Sequence, residues 1–368
     1  MEKAKADDAG LESVSKILND GGVAVIPTDT VYGLAAHPAF ADAVERLYDI
    51  KCRDARKPIA LLASDADGAA RFLGAMDEQA TRIAKRHWPG ALTMVLPVKG
   101  ISVDGEQRFE GLRVPDHEWT RALIRKCGGA LRVTSANLSG AKAATDAEAA
   151  LADVGVKADV VVDGGVSPGG AASTVVKVCN GEMTVLREGP VQFLTLASAS
   201  PRRAKILRSL GVDFTVRKSD AREVSYPNEP ERTVAENALA KGAALLADGK
   251  RRVLSADTIV WFNGRIYGKP KDLAEAAEFL RELSGKVHTV FTGVAYDGEA
   301  KVVKSDVRFR ALSDADIEAY VQRVRPTDRA GAYDIDESGD FIVESYSGSY
   351  ENIMGLPVEP LKEWGIAE

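Results

Sequence analysis

The stretch Val253-Leu254-Ser255-Ala256-Asp257-Thr258-Ile259-Val260 sets an Asp and a Thr inside an otherwise apolar run. A carboxylate there is costly unless it is paired or metal-bound, which makes Asp257 a candidate for metal or acid–base chemistry. A turn or bulge interrupting the strand is the alternative. Upstream, Ser198-Ala199-Ser200-Pro201-Arg202-Arg203 turns a short apolar run into a helix, with Ser200 at the N-cap, Pro201 at the first helical position and Gly211 just past the end. Two hydroxyls and two arginines at a helix start suit an anion by geometry as well as charge. In the first half, Lys51 and Arg53 stand two apart, with Arg56, Lys57 and Pro58 close behind. Positions i and i+2 of an extended segment point the same way, so both cations can converge on one anion such as a triphosphate. The run Pro27-Thr28-Asp29-Thr30-Val31-Tyr32-Gly33 brings polar side chains and a Gly turn to a strand end, an edge that ligands favour, and Thr134-Ser135-Ala136-Asn137-Leu138-Ser139-Gly140 places short donors and acceptors at another, which suits ribose and phosphate recognition. A capped polar turn accounts for either run taken alone.

Stepping from these residues to the elements that carry them, apolar runs at 23–27, 58–63, 91–98, 130–137, 158–165 and 173–178 alternate with helical patterns at 41–50 and 78–87. That alternation predicts an α/β unit with a largely buried sheet. The Ala- and Asp-rich segment 141–153 reads as a surface helix and turn. Leu186 to Pro190 closes the pattern and a new strand starts at Phe193, so the division falls at 189–193, giving units of 1–190 and 191–368. The second unit predicts strands at 194–197, 253–261, 288–296 and 302–309, and helices at 202–210, 234–246, 273–283 and 314–324, followed by a loop-rich terminal region. The halves share no motif in register, which argues against duplication.

A chain of 368 residues with 45% hydrophobic and 28% charged residues has the composition of an ordinary globular protein of two domains. No run approaches the ~18 apolar residues of a membrane helix, and the first thirty residues lack a signal-peptide core, so a cytoplasmic protein without a membrane partner is expected. Cys52, Cys127 and Cys179 stand far apart with no metal-ligand spacing, which fits a reducing compartment. The net charge of −6 is shared between the halves, 23 basic against 26 acidic residues through Pro190 and 25 against 28 after it, so neither carries a strong direct nucleic-acid signal. His37, His87 and His117 have no partner spacing and read as packing or surface residues.

Taken together, residues 11–190 resemble the YrdC family, the threonylcarbamoyl-AMP synthases of tRNA modification. The resemblance rests on Pro27 to Ala35, Lys51-x-Arg53 with Pro58, Trp88-Pro89-Gly90-Ala91-Leu92-Thr93, Arg113-Val114-Pro115, Thr134 to Gly140, Ser173-Thr174-Val175 and Arg187-Glu188-Gly189. It implies a twisted mixed-sheet α/β domain that joins L-threonine, bicarbonate and ATP, releases pyrophosphate and passes its product to a separate tRNA threonylcarbamoyltransferase. By resemblance, Lys51, Arg53, Ser135 and Asn137 handle ATP, and Thr28, Tyr32 and Arg187 serve the threonine and carbamate end. Ala91 departs from the family's usual Pro. Carboxylated threonine is an anion that must meet the α-phosphate in line, so cations and positioning supply most of the rate. Mg²⁺ would enter on the triphosphate without a dedicated protein cage.

Residues 193–366 resemble the Maf family of nucleoside triphosphate pyrophosphatases, whose fold is an ITPase-like mixed-sheet α/β domain. The matching residues are Ser198 to Arg203, Glu223, Lys241, Asp257-Thr258, Gly268-Lys269-Pro270, Leu283-Ser284-Gly285 with His288 and Thr292-Gly293, Asp328 to Tyr333, and Gly348-Ser349-Tyr350 with Asn352 and Gly355-Leu356-Pro357. The resemblance implies cleavage between the α- and β-phosphates with Mg²⁺ or Mn²⁺. It makes Asp257 a metal ligand or general base and Glu223 a second acid at the metal, with Arg202, Lys241 and Lys269 as cations on the phosphates. Ser200 falls in the same phosphate-binding turn. Arg203 and Thr258 resemble the branch acting on dTTP and UTP. That branch reads AYGIQG where this chain has Ala332-Tyr333-Asp334-Ile335-Asp336-Glu337, so Asp336 replaces a glutamine that can donate as well as accept toward a base. Gly242 after Lys241 replaces the usual Ala and reads as packing.

The expectation is therefore a bifunctional enzyme. A regulatory protein linked to cell division, holding nucleotide or RNA without turnover, is the alternative. The retained sets Lys51 with Arg53, and Asp257 with Glu223, Lys241 and Lys269, favour the enzyme.

Overall fold

The computed structural model describes residues 2–73, 76–101 and 106–368, and the chain divides into compact units at Met1–Gln192 and Phe193–Glu368. No helix among the described residues is long and apolar enough to cross a membrane.

The first unit is one mixed sheet. Its strands are β1 (Glu2–Lys5), β2 (Val23–Ile26), β3 (Gly33–Ala36), β4 (Leu61–Ala63), β5 (Leu92–Ile101), β6 (Gln107–Arg113), β7 (Ala130–Ser135), β8 (Val160–Asp163), β9 (Thr174–Cys179) and β10 (Glu182–Arg187). They lie in the order β1-β8-β2-β3-β7-β4-β6-β5-β9-β10. Successive side chains of a strand face opposite sides, and β2 buries both. Val23 and Val25 pack with Ala43, Leu47 and Ile50 of the helix Ala41–Lys51. Ala24 and Ile26 pack with Val14 and Leu18 of the helix Asp8–Asn19 and with Leu123 and Ile124 of the helix Glu118–Lys126. A strand buried on both faces reads as a continuous apolar run, which is why VAVI is legible. β1, β3, β6 and β10 escaped the sequence reading: EKAK is an exposed, charged edge, and GLAA is too short and small-residued to show a period.

The second unit is also a mixed sheet, with β11 (Leu194–Leu196), β12 (Phe214–Val216), β13 (Val253–Phe262), β14 (Arg265–Tyr267), β15 (Val287–Tyr296), β16 (Glu299–Phe309) and β17 (Val343–Ser347). Their order is β12-β11-β13-β15-β16-β17, and β14 pairs with β13. The expected loop-rich terminal region is corrected: it contains β17 and the helices Gly339–Ile342, Tyr350–Met354 and Glu359–Glu363. These helices are four or five residues long, too short to display a 3.6 period.

β13 creates the place for a site. It pairs with β11 only at Val253 and Leu254 and with β14 only at Val260 to Phe262. Between them, residues 256–259 have no partner strand on that side among the described residues. The chain leaving β11 turns there into the helix Pro201–Ser209. On the other side, Asp257 pairs in register with Gly293 of β15. A Cβ at Gly293 would lie 2.2 Å from the Val234 carbonyl oxygen, so only Gly lets the helix Pro230–Ala247 settle this closely on the sheet. That helix then brings Asn237 and Lys241 over Asp257.

Candidate active sites

In the second unit, Asp257 lies in an unbroken strand and is buried. Its Oδ1 accepts from Lys241 Nζ at 2.5 Å and its Oδ2 from Asn237 Nδ2 at 3.0 Å. Lys241 Nζ also reaches Glu223 Oε1 at 2.8 Å, so one ammonium bridges the two carboxylates. Burial alone would raise the Glu223 carboxyl, but its bond to Lys241 and the charges of Lys241, Lys269 and Arg203 hold it below the usual range. Asn237 was missed in the sequence. Its one available signal is its place four residues before Lys241, on the same helix face.

Arg203 is buried, and among the described residues no carboxylate pairs with it directly. Its Nε donates to the Gly355 carbonyl at 2.8 Å, Nη1 to Ser198 Oγ at 2.9 Å and Nη2 to Thr258 Oγ1 at 3.1 Å. Burial draws its pKa down to about 10, so it stays cationic at neutral pH. Thr258 Oγ1 also meets Thr292 Oγ1 at 3.0 Å. Ser200 takes the expected N-cap position of its helix, but its side chain makes no capping bond; the Ser198 hydroxyl instead accepts from the Ser200 N–H at 3.2 Å.

These groups line a cavity of about 590 Å³ that gathers Ser200, Arg202, Arg203, Glu223, Lys241, Asp257, Thr258 and Lys269, together with Asp328, Arg329, Tyr333 and Asp334. Asp336 is not in its wall. That carboxylate pairs with Lys205 at 2.5 Å and accepts from the Tyr350 hydroxyl at 3.4 Å. The buried imidazole of His288 meets the Tyr333 hydroxyl at 3.0 Å, and burial pushes it down to about 4. Gly242 is a packing residue as read: a Cβ there would come within 3.2 Å of Ser255 Oγ.

In the first unit, the expectation that Lys51 and Arg53 share one extended segment is corrected. Lys51 is the last residue of its helix and Cys52 turns left-handed at φ 50°, so the i, i+2 geometry of a strand does not apply. The Lys51 ammonium turns inward, donating to the carbonyls of Ser135 and Asn137, while Arg53 donates to the carbonyls of Lys57 and Pro58 at 3.1 and 3.3 Å. Burial, with the Arg53 charge, lowers Lys51 to about 8, against an opposing pull from Asp153. Asn137 Nδ2 donates to the Leu138 and Ala141 carbonyls, each at 2.8 Å, and its buried Oδ1 has no partner among the described residues.

Thr28 and Tyr32 turn their polar atoms onto the protein itself. Thr28 Oγ1 donates to the Val31 carbonyl at 2.6 Å, and the Tyr32 hydroxyl donates to the Gly165 carbonyl at 2.7 Å and accepts from the Gly164 N–H at 3.0 Å. Arg187 donates to the Ser173 carbonyl at 2.7 and 3.0 Å. Its pKa is lowered by burial and by the charges of Arg113 and Arg53, so both guanidinium groups lie within electrostatic reach of Arg187. Arg113, quoted only as part of a motif above, is buried; it meets Asp29 Oδ1 at 2.6 Å, Thr30 Oγ1 at 2.8 Å and the Gly90 carbonyl at 2.9 Å. Asp29 pairs with Arg113, and the guanidinium groups of Arg53 and Arg187 add positive charge suited to an anion. His37 and His117 act locally, accepting from the N–H groups of Ala39 and Thr120.

Comparison with known proteins finds a separate match for each unit. Residues 16–189 match the Sua5/YciO/YrdC family model, described as telomere recombination, and residues 193–364 match the Maf model, described as Maf-like protein. A dTTP/UTP pyrophosphatase of Bacteroides thetaiotaomicron is 42% identical over 179 residues, 46% of this chain and 92% of the relative. One from Thermosipho melanesiensis is 39% identical over 177 residues, 47% of this chain and 95% of the relative. Among solved structures, a doubly substituted Sua5 of P. abyssi aligns with a TM-score of 0.50 at 24% identity, covering 68% of this chain and 76% of that one, a likeness of fold.

Proposed function

The chain belongs to the YrdC family through its first unit and to the Maf family through its second, and from these memberships we propose a bifunctional enzyme with the two activities in tandem. The first unit makes threonylcarbamoyl-AMP and pyrophosphate from L-threonine, bicarbonate and ATP, for a separate transferase acting on tRNA. The second hydrolyses nucleoside triphosphates, dTTP and UTP foremost, to monophosphate and pyrophosphate. The chain's three free cysteines, all in the first unit, suit a cytoplasmic setting.

For the second unit, the observation that carries the reading is the buried Asp257 bonded to Lys241 at 2.5 Å in the wall of a cavity rich in cations. Asp257 and Glu223 supply hard oxygen donors, and no group of three His, Cys, Asp or Glu that could hold a metal occurs among the described residues. That donor set fits Mg²⁺ or Mn²⁺ held by one or two carboxylates, with the substrate's phosphates completing the shell. Bound there, the ion would polarise a phosphoryl oxygen and lower the pKa of a bound water. Asp257 takes the proton of the attacking water, Lys241 holds that carboxylate in place, and Arg202, Arg203 and Lys269 offset charge on the phosphates and on the departing pyrophosphate. Ser200 and Thr258 add hydroxyl contacts.

For the first unit, the guanidinium groups of Arg53, Arg113 and Arg187 offset the repulsion between the carboxylated threonine and the triphosphate. The Lys51 ammonium holds the Ser135 and Asn137 carbonyls, which leaves the orphan Asn137 Oδ1 to accept from substrate. Thr28 and Tyr32 shape the threonine end by fixing its turns.

Assaying pyrophosphate release tests both halves. The full chain should release pyrophosphate from dTTP alone, and with the second unit inactivated by Asp257→Asn it should release it from ATP only when both threonine and bicarbonate are present. Threonine-independent cleavage in that variant would reject the synthase reading, and inert dTTP would reject the pyrophosphatase reading.

A further inference from the structure

Asp334 is a carboxylate, only 5% exposed, in the wall of the cavity that also holds the cations Arg202, Arg203, Lys241 and Lys269. Such a group opposes an incoming triphosphate, so what it holds in exchange matters. Its Oδ1 accepts from the N–H groups of Asp336 and Glu337 at 2.9 and 3.4 Å, and its Oδ2 from Arg329 Nε at 2.9 Å. The same Oδ2 lies 3.5 Å from Arg202 Nη1. Burial would raise its pKa, but Arg329, the Asp336 N–H and Arg202 more than compensate and keep it ionised.

The two arginines are held very differently. Arg329 is anchored by Asp334, by Asp328 at 3.0 Å and by Glu337 at 2.6 Å. Arg202 leans on Asp334 and on the Asp328 carboxylate and carbonyl, each at 3.5 Å. Charge-assisted N–H···O bonds settle at about 2.7–2.9 Å, so the contacts of Arg202 are loose and a phosphate oxygen at normal distance outcompetes them. A free arginine would otherwise lose rotamer entropy on ordering, a cost that falls when the side chain is already confined to the cavity.

We propose that Asp334 is a positioning residue of the second unit: it fixes Arg329 as an immobile anchor and keeps Arg202 loosely docked at the cavity wall, ready to transfer to a substrate phosphate. The idea rests on the reading of this cavity as a triphosphate site. Its readout is therefore binding as well as turnover.

The test is a double-substitution cycle in the full chain, Asp334→Asn, Arg202→Gln and both, with inorganic pyrophosphate and Mg²⁺ titrated by calorimetry and dTTP kinetics measured alongside. Asp334→Asn keeps the acceptor for the two N–H groups and removes the charge. It should weaken pyrophosphate binding about tenfold and raise KM for dTTP to match, with kcat within about threefold of wild type. In the Arg202→Gln background the same substitution should add less than about twofold, because the two act as one unit. Additive losses, a fall in kcat at constant KM, or tighter pyrophosphate binding in Asp334→Asn would each overturn the proposal. Should Asp334→Asn fail to melt cooperatively, Asp328→Asn, at a side chain 57% exposed, takes its place. It should weaken binding about threefold in wild type and not in Arg202→Gln, and equal losses in both backgrounds overturn the proposal. A wild-type chain that binds no pyrophosphate and leaves dTTP intact would overturn the pyrophosphatase reading itself.

Discussion

Replacing Asp257 by Asn separates charge from shape at the centre of the second site. Two donors converge on this carboxylate, Lys241 at 2.5 Å and Asn237 at 3.0 Å. Asn237 cannot turn its amide over, since its Oδ1 accepts from the Val224 N–H at 2.8 Å and its Nδ2 donates to the Val224 carbonyl at 3.0 Å. The substituted amide offers one acceptor to two donors, so one donor is left facing an NH₂ group. An unsatisfied buried donor costs about 1–3 kcal/mol, which at roughly 2–4 °C per kcal/mol lowers the Tm of a unit this size by about 2–12 °C. The loss of negative charge should cost turnover far more, about 10²–10³-fold or beyond. Asn237→Ala is the matched control: it removes one donor, keeps the charge and should lose no more than about tenfold. Pyrophosphate release from dTTP with Mg²⁺, measured beside a thermal melt of each variant, decides the matter. A folded Asp257→Asn chain with wild-type turnover refutes the reasoning, and so does a larger loss in Asn237→Ala than in Asp257→Asn.

Three further outcomes follow from the same geometry. Lys51, lowered to about 8 from 10.5, binds its proton less readily folded than unfolded, so its contribution to stability rises with pH across that window, while its charge is lost through about pH 8. Threonine-dependent ATP consumption should therefore fall above about pH 8 and hold to higher pH in Lys51→Arg, which stays charged; a wild-type rate flat to about pH 10 would sink this. His288, lowered from 6.5 to about 4 by burial, leaves the unfolded chain holding the extra proton between those values, so Tm should drop as pH falls from 6.5 towards 4 and do so less steeply in His288→Gln. Because Asp336 is drawn to Lys205 outside the cavity wall, Asp336→Gln should leave the ranking of dTTP, UTP, CTP and ATP unchanged, and a sharpened pyrimidine preference would show that this position reads the base.

The local sequence already determined much of the scaffold. Strands buried on both faces, such as VAVI in β2 and the long apolar run of β13, are recognisable because burial of both faces demands continuous apolar residues. The helices Leu273–Leu283 and Asp314–Val324 are legible from period and caps, the second through a capping box of Ser313 and Asp316. Motif order likewise identified both families, and a carboxylate inside an apolar strand singled out Asp257. Only the tertiary structure decided who meets whom. Asn237 reaches Asp257 because Gly293, far along the chain, admits a helix backbone at a distance no Cβ would allow. Arg113 finds Asp29 across 84 positions, and Lys51 spends its ammonium on Ser135 and Asn137 instead of pointing alongside Arg53. Spacing along a chain fixes the direction of a side chain only within one regular element. Partners brought together by strand order, close backbone approach and left-handed turns have no local period to betray them, and that is where the charges of these two sites were assigned.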